Sequence, residues 1–152
     1  MKNVATFLIW MLAVFYGITV GAGLYEARIV LPLWRNAART GDWIETGRRF
    51  WVFVSTVPLT LTILAGLIVS FRWHGPGVRW WQAALAIGFV ERAMTFGYFI
   101  PQMARMQAGD APSQGLELWA NLNLLRHALS ISAWLLALRA LQLTGAARTA
   151  TG

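Results

Sequence analysis

Trp80-Trp81-Gln82-Ala83-Ala84-Leu85-Ala86-Ile87-Gly88-Phe89-Val90-Glu91-Arg92-Ala93-Met94-Thr95-Phe96-Gly97-Tyr98-Phe99-Ile100-Pro101 is an apolar run whose only charged residues are Glu91 and Arg92, halfway along it. A helix crosses the hydrocarbon core of a bilayer with about 20 apolar residues. Charge at that depth costs at least ~2.5–3.5 kcal/mol per group, so it is rarely placed there without a partner or a task. The pair therefore marks where the protein acts.

Outward from this run, the rest of the chain has the same character. It has 152 residues, 57% hydrophobic and 12% charged, where a soluble domain carries about 25% charged residues. Four apolar stretches account for the gap: residues 4–24, 50–71, 80–100 and 118–138. Backbone groups in lipid must bond within their own segment, so each stretch reads as a helix. The expected fold is all-α: an integral membrane, antiparallel four-helix bundle, a single domain over residues 1–143 with a polar, frayed tail over 144–152. The first stretch has Lys2 ahead of it and Gly21, Ala22 and Gly23 near its end, as a signal peptide would, but it is too long for a signal h-region and is read as a span.

The chain has no cysteine, which excludes disulfides, thiolate metal sites and thiol redox chemistry. Its net charge of +7 comes from arginines flanking the spans, so the expected partner is the anionic surface of the lipid bilayer and not nucleic acid. The end bearing the termini and the second loop carries Lys2, Arg72, Arg79, Arg139 and Arg148; the other carries Arg28, Arg35, Arg39, Arg48, Arg49 and Arg105. That count is nearly even, but the short second loop is purely basic. The positive-inside rule then favours cytoplasmic termini, in a bacterial inner membrane.

Small residues recur at four-residue spacing: Ala13, Gly17, Gly21 and Tyr25 in the first span, Pro58, Thr62, Gly66 and Ser70 in the second, and Ala84 and Gly88 ahead of Glu91 in the third. Such stripes let helices approach closely, and Gly17 with Gly21 forms a small-xxx-small pair. Pro58 should kink its helix, with Ser55 and Thr56 helping to satisfy the freed backbone groups. The first connection, residues 26–49, mixes Pro32, Trp34 and Trp43 with Arg39, Arg48 and Arg49, and part of it reads as a short helix on the membrane surface, a lid over the bundle.

Polar residues share faces. Asn123, His127, Ser130 and Trp134 follow i, i+4, i+7, i+11, with Arg126 at the border; Glu91, Thr95 and Tyr98 share a face beside Arg92; Thr19, Gly23 and Glu26 share another. Arg126 and His127 lie roughly 11 Å below the third loop by helix rise, Glu91 and Arg92 at a similar depth, and Tyr25 and Glu26 at the matching end of the first span. These groups should point inward together. Two readings stay open: a structural network of paired charges, or a pocket for an apolar molecule with a polar head. His74 lies roughly 20 Å from His127 along the bundle axis, so the two cannot share a haem within one chain. His127 with Glu91 and Glu26 fits a metal on ligand type, but that trio serves many roles. No metal site is assigned, and the cofactor is left open.

Several stretches resemble the anthrone oxygenase-like family of small four-helix membrane proteins: Gly21-Ala22-Gly23-Leu24-Tyr25-Glu26-Ala27-Arg28 followed by Pro32-Leu33-Trp34, then Phe99-Ile100-Pro101, then Trp119 to His127 with Asn123, Arg126 and His127 at its core. The resemblance covers about residues 10 to 140. It implies a four-helix membrane protein and, from the fungal members, oxygenation of an anthrone to an anthraquinone; many bacterial members have no assigned function. It marks Tyr25, Glu26, Asn123, Arg126 and His127 as pocket residues.

The leading expectation is an oxygenase or oxidoreductase acting on a lipophilic phenol, quinol or polyketide. His127 or Glu91 would remove a phenolic proton and Arg126 or Arg92 would stabilise the oxyanion, with Tyr25, Glu26, Arg92, Tyr98 and Asn123 binding the substrate. The alternatives are an accessory subunit or assembly factor bound to a protein partner in a larger membrane complex, and a transporter of a small lipophilic compound working as a homo-oligomer.

Overall fold

The computed structural model describes residues 1–36, 47–108 and 113–149. They form four helices and no strand. Helix α1 runs through Lys2–Tyr25, a π-helical turn at Glu26–Val30 and Leu31–Asn36. Helix α2 has a π-helical stretch at Trp51–Thr56 and continues as Val57–Ser70. Helix α3 comprises Val78–Met94, a π-helical turn at Thr95–Phe99 and Ile100–Ala108. Helix α4 is the 37-residue Ser113–Thr149. Each contains a segment long and apolar enough to cross a membrane: Lys2–Leu33, Gly47–Ser70, Val78–Met106 and Gly115–Ala146.

Prolines explain the three π-helical turns. Pro32, Pro58 and Pro101 each stand two residues beyond the end of one such turn. A proline inside a helix lacks the N–H that would bond the carbonyl four residues back, and its ring collides with that carbonyl. Widening the preceding turn moves the carbonyl aside while the helix continues. The kink expected at Pro58 thus takes this form. Thr60 donates to the Thr56 carbonyl at 2.6 Å, and Ser55 bonds across to Thr19 at 2.8 Å rather than serving its own backbone.

The helices outrun the expected spans. Helix α1 does not stop near Leu24, because residues 25–31 contain no breaker and Glu26 turns inward instead of capping; its backbone N–H is bonded to the carbonyls of Ala22 and Gly23. The first eleven residues of the connection expected after it are therefore helix, and residues 37–46, where a surface lid within that connection would remain, lie outside the described residues. The tail expected to fray from Thr144 is helical to Thr149. Thr144 is buried, its hydroxyl within bonding distance of the Pro76 and Ala140 carbonyls at 3.1 and 2.8 Å.

Side-chain size sets the packing. The main core joins Ile9, Leu12 and Tyr16 of α1, Leu59 and Ile63 of α2, Trp81 and Leu85 of α3, and Ala133, Ala137 and Ala140 of α4. A smaller cluster of Leu31, Phe99, Trp119 and Ala120 lies apart from it. Close approaches fall at Gly66 against Leu85, Gly88 against the Tyr16 hydroxyl and Gly23 against the His127 ring. Gly17 meets Trp134, whereas Gly21 faces open space, so the two do not form the expected paired stripe. Gly77 precedes α3 at φ +83°, a left-handed backbone, and a Cβ there would stand 2.7 Å from the Ala140 carbonyl oxygen. The outward faces carry exposed Phe7, Trp10, Leu61, Leu64, Ile68, Phe89, Leu124 and Leu135.

Candidate functional site

All four helices wall a cavity of about 760 Å³. The π-helical turns supply much of the wall: Glu26 and Val30 from α1, Trp51, Val52 and Thr56 from α2, Thr95 and Phe99 from α3. Helix α4 adds Trp119 and Arg126, and the ionisable residues around the space are Tyr25, Glu26, Arg48 and Arg126. Most of the remaining lining is apolar, including Ile18, Leu33, Ile100 and Met103. A widened turn displaces backbone and shifts the helix face, which is how straight-reading helices leave a space between them.

Arg126 is buried, its guanidinium carbon 4.7 Å from the centre of the Phe99 ring and 5.6 Å from that of Trp51. Ring faces hold a cation by their negative quadrupoles, and a desolvated contact is worth about 2 kcal/mol or more. Phe99 packs edge-on against Trp119 at 5.8 Å, which fixes this aromatic bed.

Glu26 is 5% exposed. Its Oε1 accepts a long hydrogen bond from Asn123 Nδ2 at 3.5 Å, while its Oε2 has no hydrogen-bond partner among the described residues. Asn123 Oδ1 is in the same condition. Buried acceptors are normally satisfied, so each such atom calls for a missing donor.

Deeper in the bundle is a second polar centre. Glu91 is fully buried: Oε1 accepts from Arg92 Nη2 at 2.6 Å and from Ser130 Oγ at 3.1 Å, and Oε2 accepts from Tyr16 Oη at 3.4 Å. Thr95 closes the turn by donating to the Glu91 carbonyl at 2.9 Å. Arg92 Nε and Nη1, and both ring nitrogens of His127, are buried without hydrogen-bond partners among the described residues. His127 is instead packed against the α1 backbone at Gly23.

The expected residues thus divide between two places. Glu26 and Arg126 are buried in the cavity wall, and Tyr25 also lines it but is 61% exposed and so not turned inward as expected; Glu91, Arg92, Asn123 and His127 are buried and do not line it. Tyr98 is half-buried against Phe99, outside the wall. The π-helical turn at Thr95–Phe99 rotates the face by one residue, so Phe99 takes the inward position that a regular helix gives to Tyr98. Among the described residues no three His, Asp or Glu side chains gather as metal ligands, so Glu26, Glu91 and His127 do not form the trio that their types permit. Trp51, Phe99 and Trp119 were not singled out as wall residues. The signal that points to Trp51 and Phe99 is the proline that follows each of their turns, Pro58 and Pro101.

No family model, curated protein or solved structure matches this chain.

Proposed function

We propose that the chain is an integral membrane protein whose four helices cross the bilayer as an antiparallel bundle and whose cavity binds a lipophilic phenol- or quinol-like molecule for oxidation. The outward apolar side chains support insertion, since soluble proteins rarely expose apolar surface so continuously. Contact order supports the antiparallel arrangement: Gly17, Gly23 and Glu26 meet Trp134, His127 and Asn123, and Gly77, Glu91 and Phe99 meet Ala140, Ser130 and Trp119.

The observation that carries the functional reading is the cavity itself: a largely apolar space of about 760 Å³ with Arg126 held over aromatic rings in its wall. That combination suits an aromatic molecule with a hydroxyl, whose oxyanion Arg126 stabilises in a dry site. The likeness to the anthrone oxygenase-like family marks Tyr25, Glu26, Asn123, Arg126 and His127 as pocket residues, of which Tyr25, Glu26 and Arg126 line the cavity. His127 and Glu91, expected as bases, stand behind the wall and reach a bound ligand only through other groups. The accessory-subunit and transporter readings find no specific support, because the exposed apolar faces suit lipid as well as protein.

Ala22 lines the cavity, so Ala22→Trp should fill it. In nanodiscs, wild-type protein should bind 2-naphthol saturably at one site, and Ala22→Trp should bind it at least roughly tenfold more weakly with helical content unchanged. Absence of saturable binding by wild type, or binding untouched by Ala22→Trp, contradicts the proposal.

A further inference from the structure

We infer that Glu26 is the group that recognises the ligand's hydroxyl and accepts its proton, with Asn123 as the positioning residue that holds Glu26 in place; this rests on the cavity being a ligand site. Glu26 lines the cavity, is 5% exposed, and keeps one carboxylate oxygen without a hydrogen-bond partner among the described residues. Asn123 occupies the other oxygen. A carboxylate oxygen accepts and cannot donate unless protonated, so the group that completes it is a donor.

The surroundings narrow the class of donor. Arg48 and Arg126 in the same wall disfavour an ammonium head, and the Glu26 carboxylate disfavours a carboxylate head. An ether or ester offers no hydrogen. A phenolic or hydroquinone hydroxyl on an apolar ring meets each condition. On proton transfer, the ligand O–H bond breaks, an O–H bond forms at Glu26 Oε2, and the electron pair stays on the ligand oxygen as a phenolate. Arg126, in the same wall as Glu26, faces that charge. The carboxylate is neutralised as the phenolate appears, so the site's net charge is unchanged in the step. This gives Glu26 the role that residue types alone assign to His127 or Glu91.

Three matched ligands test the inference in nanodiscs, with protein-free discs as the partition control: 2-naphthol, 2-methoxynaphthalene and naphthalene. Wild type should hold 2-naphthol at least roughly tenfold more tightly than the methyl ether, because masking the donor leaves a buried charged acceptor unpaired. Glu26→Met should lose that preference and the naphtholate absorption band, holding 2-naphthol and 2-methoxynaphthalene about equally. Asn123→Ala should reduce the preference without abolishing it. Equal wild-type affinity for all three ligands overturns the role of Glu26 and leaves the cavity reading intact; a preference that survives in Glu26→Met overturns it also. Absence of saturable binding of any of them overturns both. Should Glu26→Met fail to fold, the wild-type comparison of naphthol with its ether decides alone.

Discussion

Glu91 and Glu26 are both buried carboxylates, and their surroundings give them opposite tasks. Glu91 accepts from Arg92, Ser130 and Tyr16, side chains of three helices, and so ties α1, α3 and α4 together. Removing one partner of a buried ion pair leaves an uncompensated charge and costs about 3–5 kcal/mol. Glu91→Ala should therefore lower unfolding stability in mild detergent by that order, measured by denaturant titration, whereas Glu26→Met should cost much less because, among the described residues, the Glu26 side chain holds one long hydrogen bond. Equal losses in the two variants would contradict the division. At this scale much was legible: charge deep in an apolar run must turn inward, and Glu91, Arg92, Asn123, Arg126 and His127 all do. Which of them reach the cavity was not legible, since that depends on where neighbouring helices part.

At the scale of the element, each proline two residues past a π-helical turn couples sequence to cavity. The 3.6-residue repeat that placed Glu91, Thr95 and Tyr98 on one face holds through Thr95 and fails after it, because one wide turn advances the face by a residue. The same rule explains why the apolar pattern understated the lengths of α1 and α3: a proline that a wide turn accommodates does not end a helix. Pro101 lies two residues beyond this turn of α3. Pro101→Ala restores the missing N–H and lets α3 run as a regular helix, turning Phe99 by about 100° away from Arg126. Affinity for 2-naphthol should fall at least roughly tenfold while circular dichroism shows unchanged helicity. Unchanged affinity would show that the turn does not shape the site.

Over the whole molecule, the four helices leave an apolar outer surface and concentrate polar groups within. Helix α4, 37 residues long, extends about 56 Å by helix rise, well beyond a hydrocarbon core of about 30 Å, so in a bilayer its ends would project. The chain contains no cysteine, which makes single-cysteine labelling in sealed vesicles direct. Lys2→Cys and His74→Cys should react with an impermeant maleimide from one side, the cytoplasmic one, and Arg105→Cys from the other. Labelling of all three from the same side would contradict the single crossing between His74 and Arg105. Composition alone carried this architecture, since four apolar runs of sufficient length leave few other folds open to a chain of this size.

The central claim, that a lipophilic phenol occupies the space beneath Arg126, is tested most directly by photolabelling in nanodiscs with an azide-bearing naphthol, followed by peptide mapping. The account predicts labels on Trp51, Phe99, Met103 and Trp119, competed by unlabelled 2-naphthol and lost in Ala22→Trp. Labels confined to the outward Phe7, Trp10, Leu64 and Phe89, or labels that no competitor displaces, would contradict it.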